Sequence, residues 1–409
     1  MTTRPRIAFF DFPDVFEDFY PHYGIDQRMF GSSWAGTSNH AILRVLQDRV
    51  GDVRWYALAL KAELDRPVRH ALGFEVQILR SSALHRLMWQ TYYGPRWSWR
   101  WRGAYRHYAT PASYAAPLSR PLWRELRRRP PDVMFAQSYS SGRFDVLLVL
   151  ARRLGAPLVA YHAGGSPAGY LAAPVRRRTL PHADLLIASS EAERDLLVDR
   201  FGVAPERVRV ILTPIDTDAF RPIAREQACA VTGLDPARRR FLYVGRLSPE
   251  KGVGPLLEAF ARAAGPDAEL VIAGDGPLGP QLRARAAALA PARIRFVGWT
   301  SPERLANLYN AADCLVLASS REGFPAVVGE ATACGTPVLA SRVGGVSELV
   351  VDGESGWLFE PGDRAALEQR LSDSGALAAM RPRARRLAER RVSPAVVGEQ
   401  LREAFEAIL

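Results

Sequence analysis

The chain of 409 residues carries 54 Lys and Arg against 43 Asp and Glu, a formal charge of +11, with 48% apolar and 24% charged residues. That balance excludes disordered and fibrous classes, and at this length it predicts two domains. The longest apolar run, Val146 to Ala151, falls far short of the roughly 20 residues that cross a bilayer. The start, MTTRPRIAFFDFPD, has neither the apolar core nor the small-residue cleavage site of a secretory leader, so a cytoplasmic protein is expected.

Charge and cysteines narrow the classes further. Residues 1–212 hold 30 basic against 19 acidic residues, whereas the remainder holds 24 of each, so all the excess positive charge lies in the first half. Only Lys61 and Lys251 are lysines, which makes each worth noting where it stands. Cys229, Cys314 and Cys334 are odd in number and widely spaced, a pattern of reduced thiols rather than disulfides or a zinc site.

In chain order, RIAFF (Arg6 to Phe10) predicts a first strand. A long aromatic segment follows, and Thr37 or Ser38 caps a helix through AILRVLQDRV. Short apolar runs recur at DVRWYALAL, FEVQIL, DVMFA, PLVAYH and DLLIAS, several separated by helical patterns such as RFDVLLVLARRLG. Alternating strands and helices predict a parallel sheet covered on both faces. After TPIDTDAFRPIAREQACAVTGLDPARRR, which shows little strand pattern, the rhythm restarts with FLYVGR, ELVIAGDG, IRFVG, CLVLAS, PVLAS and GWLFEPGD. This second series predicts a second doubly wound domain, with ligands at the carboxyl ends of the strands and in a cleft between the two sheets.

Two stretches concentrate chemistry. In YVGRLSPEKG, Arg246 and Lys251 stand at a strand end, where cations suit a diphosphate; the alternative is a solvated turn. In SSREGFPAVVGEATACGTPV, Pro325 opens a helix that Gly335 stops. Gly323 before it lets free backbone N–H groups approach a phosphate. Glu322 and Glu330 stand eight positions apart and suit hydrogen bonds from sugar and ribose hydroxyls. Taken singly, each also reads as an ordinary helix charge.

Together with AGDGP and VGGVSELVVDGESGWLFEPGD, these stretches resemble the retaining glycosyltransferases of family 4 over roughly residues 208–365. The resemblance implies the GT-B fold, two facing Rossmann-like α/β domains with an inter-domain cleft. It implies an acceptor-side domain over 1–212, a linker over 213–240, a nucleotide-sugar-binding domain over 241–390 and a helical segment over 391–409 that packs back on the first domain. It places Arg246 and Lys251 on the donor diphosphate and Glu330 on the ribose. Glu322, with the backbone around Gly323, Phe324 and Pro325, would meet the transferred sugar. His162, at the end of LVAYH, stands where the family often has a histidine near that sugar, and Gly36 is the small residue that would admit the donor phosphate. The family's N-G-V-D reads TPID here, Thr213 to Asp216. The resemblance implies a nucleoside-diphosphate sugar as the donor, and no metal or other cofactor is expected.

Gly274, Gly276 and Gly279 spell the dinucleotide G-x-G-x-x-G, but no acid ends the next strand, so NAD is not expected. Asp216, Thr217 and Asp218 spell a D-x-D outside any sheet's ligand edge. From Arg86 to Tyr108, Trp97, Trp99 and Trp101 alternate among arginines that include Arg96, Arg100 and Arg102. That pattern suits an anionic bilayer, an acceptor sugar or a half-buried core. The neutral second half and the lack of any recognition motif argue against nucleic acid, so a peripheral place on an anionic membrane surface is expected.

Overall fold

The computed structural model describes residues 4–11, 15–18, 20–34, 38–64, 66–92, 111–162, 173–373 and 375–409. Gly36 and the alternating tryptophans of the aromatic cluster lie outside them. The chain divides into two compact units, one formed by Leu212–Val397 and the other by the chain before it together with Gly398–Leu409.

The first unit is built on eight strands: β1 (Arg6–Phe10), β2 (Asp52–Ala59), β3 (Val68–Arg69), β4 (Glu75–Arg80), β5 (Val133–Gln137), β6 (Leu158–Tyr161), β7 (Leu185–Ala188) and β8 (Val208–Val210). Their order is β3-β4-β2-β1-β5-β6-β7-β8, parallel except for β3 on β4. Four helices matter below: α1 (Ser38–Arg49), α2 (Ala83–Tyr92), α3 (Arg120–Arg128) and α4 (Gly142–Leu154). β5 and β6 are buried throughout, as both faces of a parallel sheet must be when helices cover them. Phe10, Met134, Leu147 and Leu186 share one core cluster, so strand and helix residues far apart in sequence close a single interior.

The second unit carries β9 (Arg239–Val244), β10 (Ala268–Ala273), β11 (Ile294–Gly298), β12 (Cys314–Leu317), β13 (Val338–Ser341) and β14 (Gly356–Phe359) in the order β11-β10-β9-β12-β13-β14. All its pairings are parallel. Its helices include α5 (Arg225–Thr232), α6 (Val253–Ala263), α7 (Pro302–Ala311), α8 (Ala326–Ala333) and α9 (Leu377–Arg391), and α10 (Pro394–Glu406) closes the chain. The strand order reverses between β9 and β12, so the loops leaving those two strands diverge to open the crevice where such sheets bind ligands.

One stretch differs from the sequence expectation in how it is used. Residues 213–240, expected as a linker, carry α5 and the start of β9, and Arg225 pairs with Asp313 at 2.8 Å inside the second unit. The prolines and arginines hid this helix. In the last segment, a Cβ at Gly398 would meet Arg49 Cγ at 2.7 Å, so glycine lets α10 lie close against α1. Phe405 stacks on Phe135 with ring centroids 6.2 Å apart.

Candidate functional site

In the second unit the loop after β9 ends at Lys251, and the loop after β12 carries Glu322. Lys251 Nζ donates to both carboxylate oxygens of Glu322 at 2.7 Å, and Ser319 Oγ donates to Oε1 at 2.7 Å. The lysine side chain is 25% exposed and the glutamate 8%, so the pair is partly withdrawn from water and its attraction is screened less than at a surface. The two loops are stitched together where Ser320 N–H donates to the Glu250 carbonyl at 2.8 Å. The predicted basic pair separates in role. Lys251 lies inside, bonded to an acid, while Arg246 is exposed at the loop's start, its carbonyl held by the Tyr243 hydroxyl at 2.9 Å.

Gly252 makes this approach possible. Its φ is +65°, and a Cβ there would fall 1.9 Å from the Ala318 carbonyl oxygen on the facing loop. Gly252→Ala is expected to destabilise the protein by about 3 kcal/mol through left-handed strain and this backbone clash. A urea denaturation midpoint unchanged from the parent would refute it.

Beyond Glu322 the chain enters α8, with Pro325 still extended at its N-cap and Gly335, at φ +72°, after its end. The predicted helix from Pro325 to Cys334 therefore agrees to within a residue at each end. Gly323 is half-buried and Phe324 buried, with the Gly323 carbonyl accepting from Gly345 N–H at 2.6 Å. A Cβ at Gly344 would lie 2.3 Å from both the Glu322 and Gly323 carbonyl oxygens, so the Gly344–Gly345 pair backs the loop directly.

Glu330, about one turn along α8, accepts a hydrogen bond from the Tyr309 hydroxyl of α7 at 2.7 Å. Desolvation pushes its carboxyl up to about 7, against the lowering effect of that hydrogen bond. The residue as a whole is half-buried. The same burial, together with Glu330, raises Cys334 to about 12, which keeps it an inert thiol. Tyr309 is fully buried, and its carbonyl accepts from Thr336 Oγ1 at 2.7 Å.

The two weaker motifs have local explanations. A Cβ at Gly274 would sit 2.0 Å from the Gly245 carbonyl oxygen, and one at Gly276 2.6 Å from that of Leu247. These glycines pack the loop after β10 against the loop that carries Arg246, which accounts for the G-x-G-x-x-G spacing without a dinucleotide. Asp216 Oδ1 accepts from the N–H groups of Asp218 and Ala219 at 3.1 and 3.0 Å, a turn closed by its own side chain. Among the described residues no group of three His, Cys, Asp or Glu is placed to hold a metal ion.

In the first unit His162 follows β6 and is 3% exposed, its ring centroid 5.1 Å from that of Tyr139. The Tyr139 hydroxyl bonds to Glu193, whose other oxygen accepts from both the N–H and the hydroxyl of Ser189 at 2.7 Å. The ends of β5 and β7 are thus linked through Glu193, with the His162 ring at the end of β6 packed beside Tyr139. Ser138 just after β5 has φ +70°, the one such non-glycine residue among those described. Arg143 of α4, also buried, bonds to the carbonyls of Asp11 and Gln137, tying together the ends of β1 and β5 where this sheet's order reverses. Within the second unit, Ser319, Tyr309 and the Gly344 backing were not singled out from the sequence. The Gly-Gly after β13 was the one available signal, since the others become neighbours of the site only through packing.

Residues 35–219 match the family described as Glycosyltransferase Family 4, and residues 225–389 match Glycosyl transferases group 1. Among curated proteins, the D-inositol 3-phosphate glycosyltransferase of Rhodococcus jostii is 37% identical over 229 residues, which is 52% of this chain and 50% of that protein. D-inositol 3-phosphate glycosyltransferase 2 of Catenulispora acidiphila is 39% identical over 208 residues, 47% of this chain and 48% of that one. The chain spans about half the length of the curated relatives it matches. Among solved structures, Anabaena HepE in complex with UDP superposes with a TM-score of 0.70 at 20% identity, over 98% of this chain and 100% of that one. Sucrose-phosphate synthase of Thermosynechococcus elongatus gives 0.72 at 22% identity, over 99% of both chains. At these identities the structural likeness shows the fold alone, which is GT-B.

Proposed function

Because the chain belongs to the family 4, group 1 glycosyltransferases, we propose that it moves a sugar from a nucleoside-diphosphate donor to an acceptor with retention at the anomeric carbon. The observation that carries this reading is the Lys251–Glu322 pair, held at 2.7 Å at the point where the second sheet reverses. Breakage of the donor's glycosidic bond leaves negative charge on the departing diphosphate. Cations and helix amides that hold that charge more tightly in the transition state lower the barrier. Lys251 and Arg246 supply the cations, and the backbone from Gly323 to Pro325 leads into the N-terminus of α8. Glu330 accepts from the ribose hydroxyls and Glu322 from the transferred sugar. Donor binding therefore trades the Lys251–Glu322 bond for one from the lysine to phosphate and one from a sugar hydroxyl to the glutamate. His162 contacts the sugar from the first unit, and Gly36 admits the donor phosphate.

With two cations on the diphosphate, the reaction needs no metal. The structural neighbour HepE, solved in complex with UDP and with UDP-glucose, supports a nucleotide-sugar donor. The acceptor is anionic and carried on a lipid or cell-envelope intermediate, to match the positive charge gathered in the first 212 residues. No described helix is long and apolar enough to cross a membrane. The charge of the first half supports a peripheral place on the cytoplasmic face, against anionic lipid. A second reading, a soluble phosphorylated acceptor, is favoured by the relatives named as D-inositol 3-phosphate glycosyltransferases.

The test is turnover of labelled UDP-, GDP-, ADP- and TDP-sugars, with and without EDTA. One donor is expected to be consumed at the same rate in both, and its diphosphate at 100 times its dissociation constant to add about 2.7 kcal/mol of stability. His162→Ala should lower kcat on that donor. Loss of turnover in EDTA restored by manganese would overturn metal independence, and diphosphate binding with no turnover on any acceptor would make the chain a sensor instead of an enzyme.

A further inference from the structure

The positive charge of the first unit is concentrated by its pairing pattern. Two acids lie near α3, and both are consumed. Glu125 accepts from Arg54 and Arg128, and Glu75 from Arg54 and Arg129, at 2.6 to 3.3 Å. Arg54 is buried, so it spends this acidity inside the fold. Arg120, Arg124 and Arg127 are left exposed with no ion pair among the described residues. Their spacing of four and three residues places them in one stripe along α3, about 10 Å long. Trp123 borders the stripe, half-buried against the core, with the Arg127 guanidinium 5.8 Å from its ring.

At the amino end of this stripe stands an apolar patch. Leu118 is 58% exposed immediately before α3, and Leu84 and Leu87, one turn apart on α2, are 55% and 62% exposed. The two segments are joined where Ser82 N–H donates to the Ala116 carbonyl and Ser119 Oγ to the Arg80 carbonyl. Because α2 starts directly after β4, the patch lies at the carboxyl edge of the first sheet, the edge on which such sheets carry their ligands.

We propose that the α2–α3 face of the first unit docks on an anionic lipid bilayer, with Arg120, Arg124 and Arg127 over the headgroup phosphates and Leu84, Leu87 and Leu118 dipping below them. Exposed leucines beside uncompensated arginines and a half-buried tryptophan match an interface that is apolar beneath and negatively charged above. Nucleic acid would leave the leucines in contact with sugar and phosphate, with nothing to gain from their burial. The proposal rests on the transfer reading only for its purpose, which is to bring the acceptor edge to a lipid-borne substrate; docking itself needs no substrate.

The experiment is cosedimentation of the whole chain with vesicles of phosphatidylcholine alone or with phosphatidylglycerol, at 50 and 500 mM salt as chosen conditions. Binding is expected on the phosphatidylglycerol vesicles at low salt and to be lost at high salt. The triple variant Arg120→Ser, Arg124→Ser, Arg127→Ser should partition about a hundredfold more weakly, since each charge near the surface contributes about a factor of five. Leu84→Ser with Leu87→Ser should weaken binding at the low salt. All these side chains are exposed, and an unchanged thermal midpoint with unchanged UDP binding will show that the fold and the donor site persist. Equal sedimentation of wild type and triple variant would overturn the proposal, as would equal recovery on both vesicle types, or none on either with retention of a duplex oligonucleotide. Transfer to a soluble acceptor, assayed separately, reports on the activity whichever way docking falls.

Discussion

Lys251→Ala is expected to lower kcat for sugar transfer by about a hundredfold to a thousandfold while donor KM moves little. The magnitude is that of removing one donor from a site that stabilises developing negative charge. The split between kcat and KM follows from where the charge develops: the diphosphate gains it as the glycosidic bond breaks, so the lysine's interaction is stronger in the transition state than in the bound donor. The structure adds a second effect. With Lys251 gone, Glu322 keeps, among the described residues, the Ser319 hydroxyl at 2.7 Å in a side chain 8% exposed, so its carboxylate is poorly compensated. Glu322→Gln separates the two effects, because it removes the charge and keeps the shape. It should cost at least tenfold in transfer while the protein stays folded. Activity within threefold of the parent in Lys251→Ala would remove the pair from the catalytic machinery.

The donor KM is expected to rise about tenfold for each pH unit below about 7, because only the ionised Glu330 carboxylate accepts from both ribose hydroxyls. Burial holds this carboxyl well above its usual range, so the proton is taken up just below neutrality. The effect on stability has the opposite sign. Between pH 7 and the ordinary carboxylate range the folded state binds a proton that the unfolded chain does not, so this group favours the fold more as pH falls. Tyr309→Phe removes the hydrogen bond that lowers the Glu330 pKa, so the rise in KM should begin at a higher pH, with kcat at saturating donor nearly unchanged. A KM flat from pH 5.5 to 8.5, or a Tyr309→Phe profile that overlays the parent, would remove Glu330 from the ribose.

The strands of both sheets were readable because parallel strands buried on two faces are short apolar runs, and both units are built of them. The two-residue β3 was not, since Val68 and Arg69 carry no pattern and pair only because β4 lies beside them. Helix α5 was passed over for a similar reason: REQACAVT follows a proline-rich stretch, and its place is set by Arg225 reaching Asp313, 88 residues away.

By itself, then, the sequence determined the two doubly wound sheets, the helix after Gly323, the placement of Lys251 and Glu322 at strand ends and of Glu330 within that helix, and the charge asymmetry. Each is a local property, carried by apolar periodicity, by turn residues or by composition. Tertiary structure alone decided that Lys251 and Glu322, 71 residues apart, meet at 2.7 Å, because strands β9 and β12 are neighbours only in the folded sheet. It decided likewise that Tyr309 governs Glu330, that the G-x-G-x-x-G glycines serve the packing of two loops, and that three arginines of α3 are left without acids. Which charges neutralise one another depends on which surfaces burial brings within a few ångströms, and no spacing along the chain encodes that.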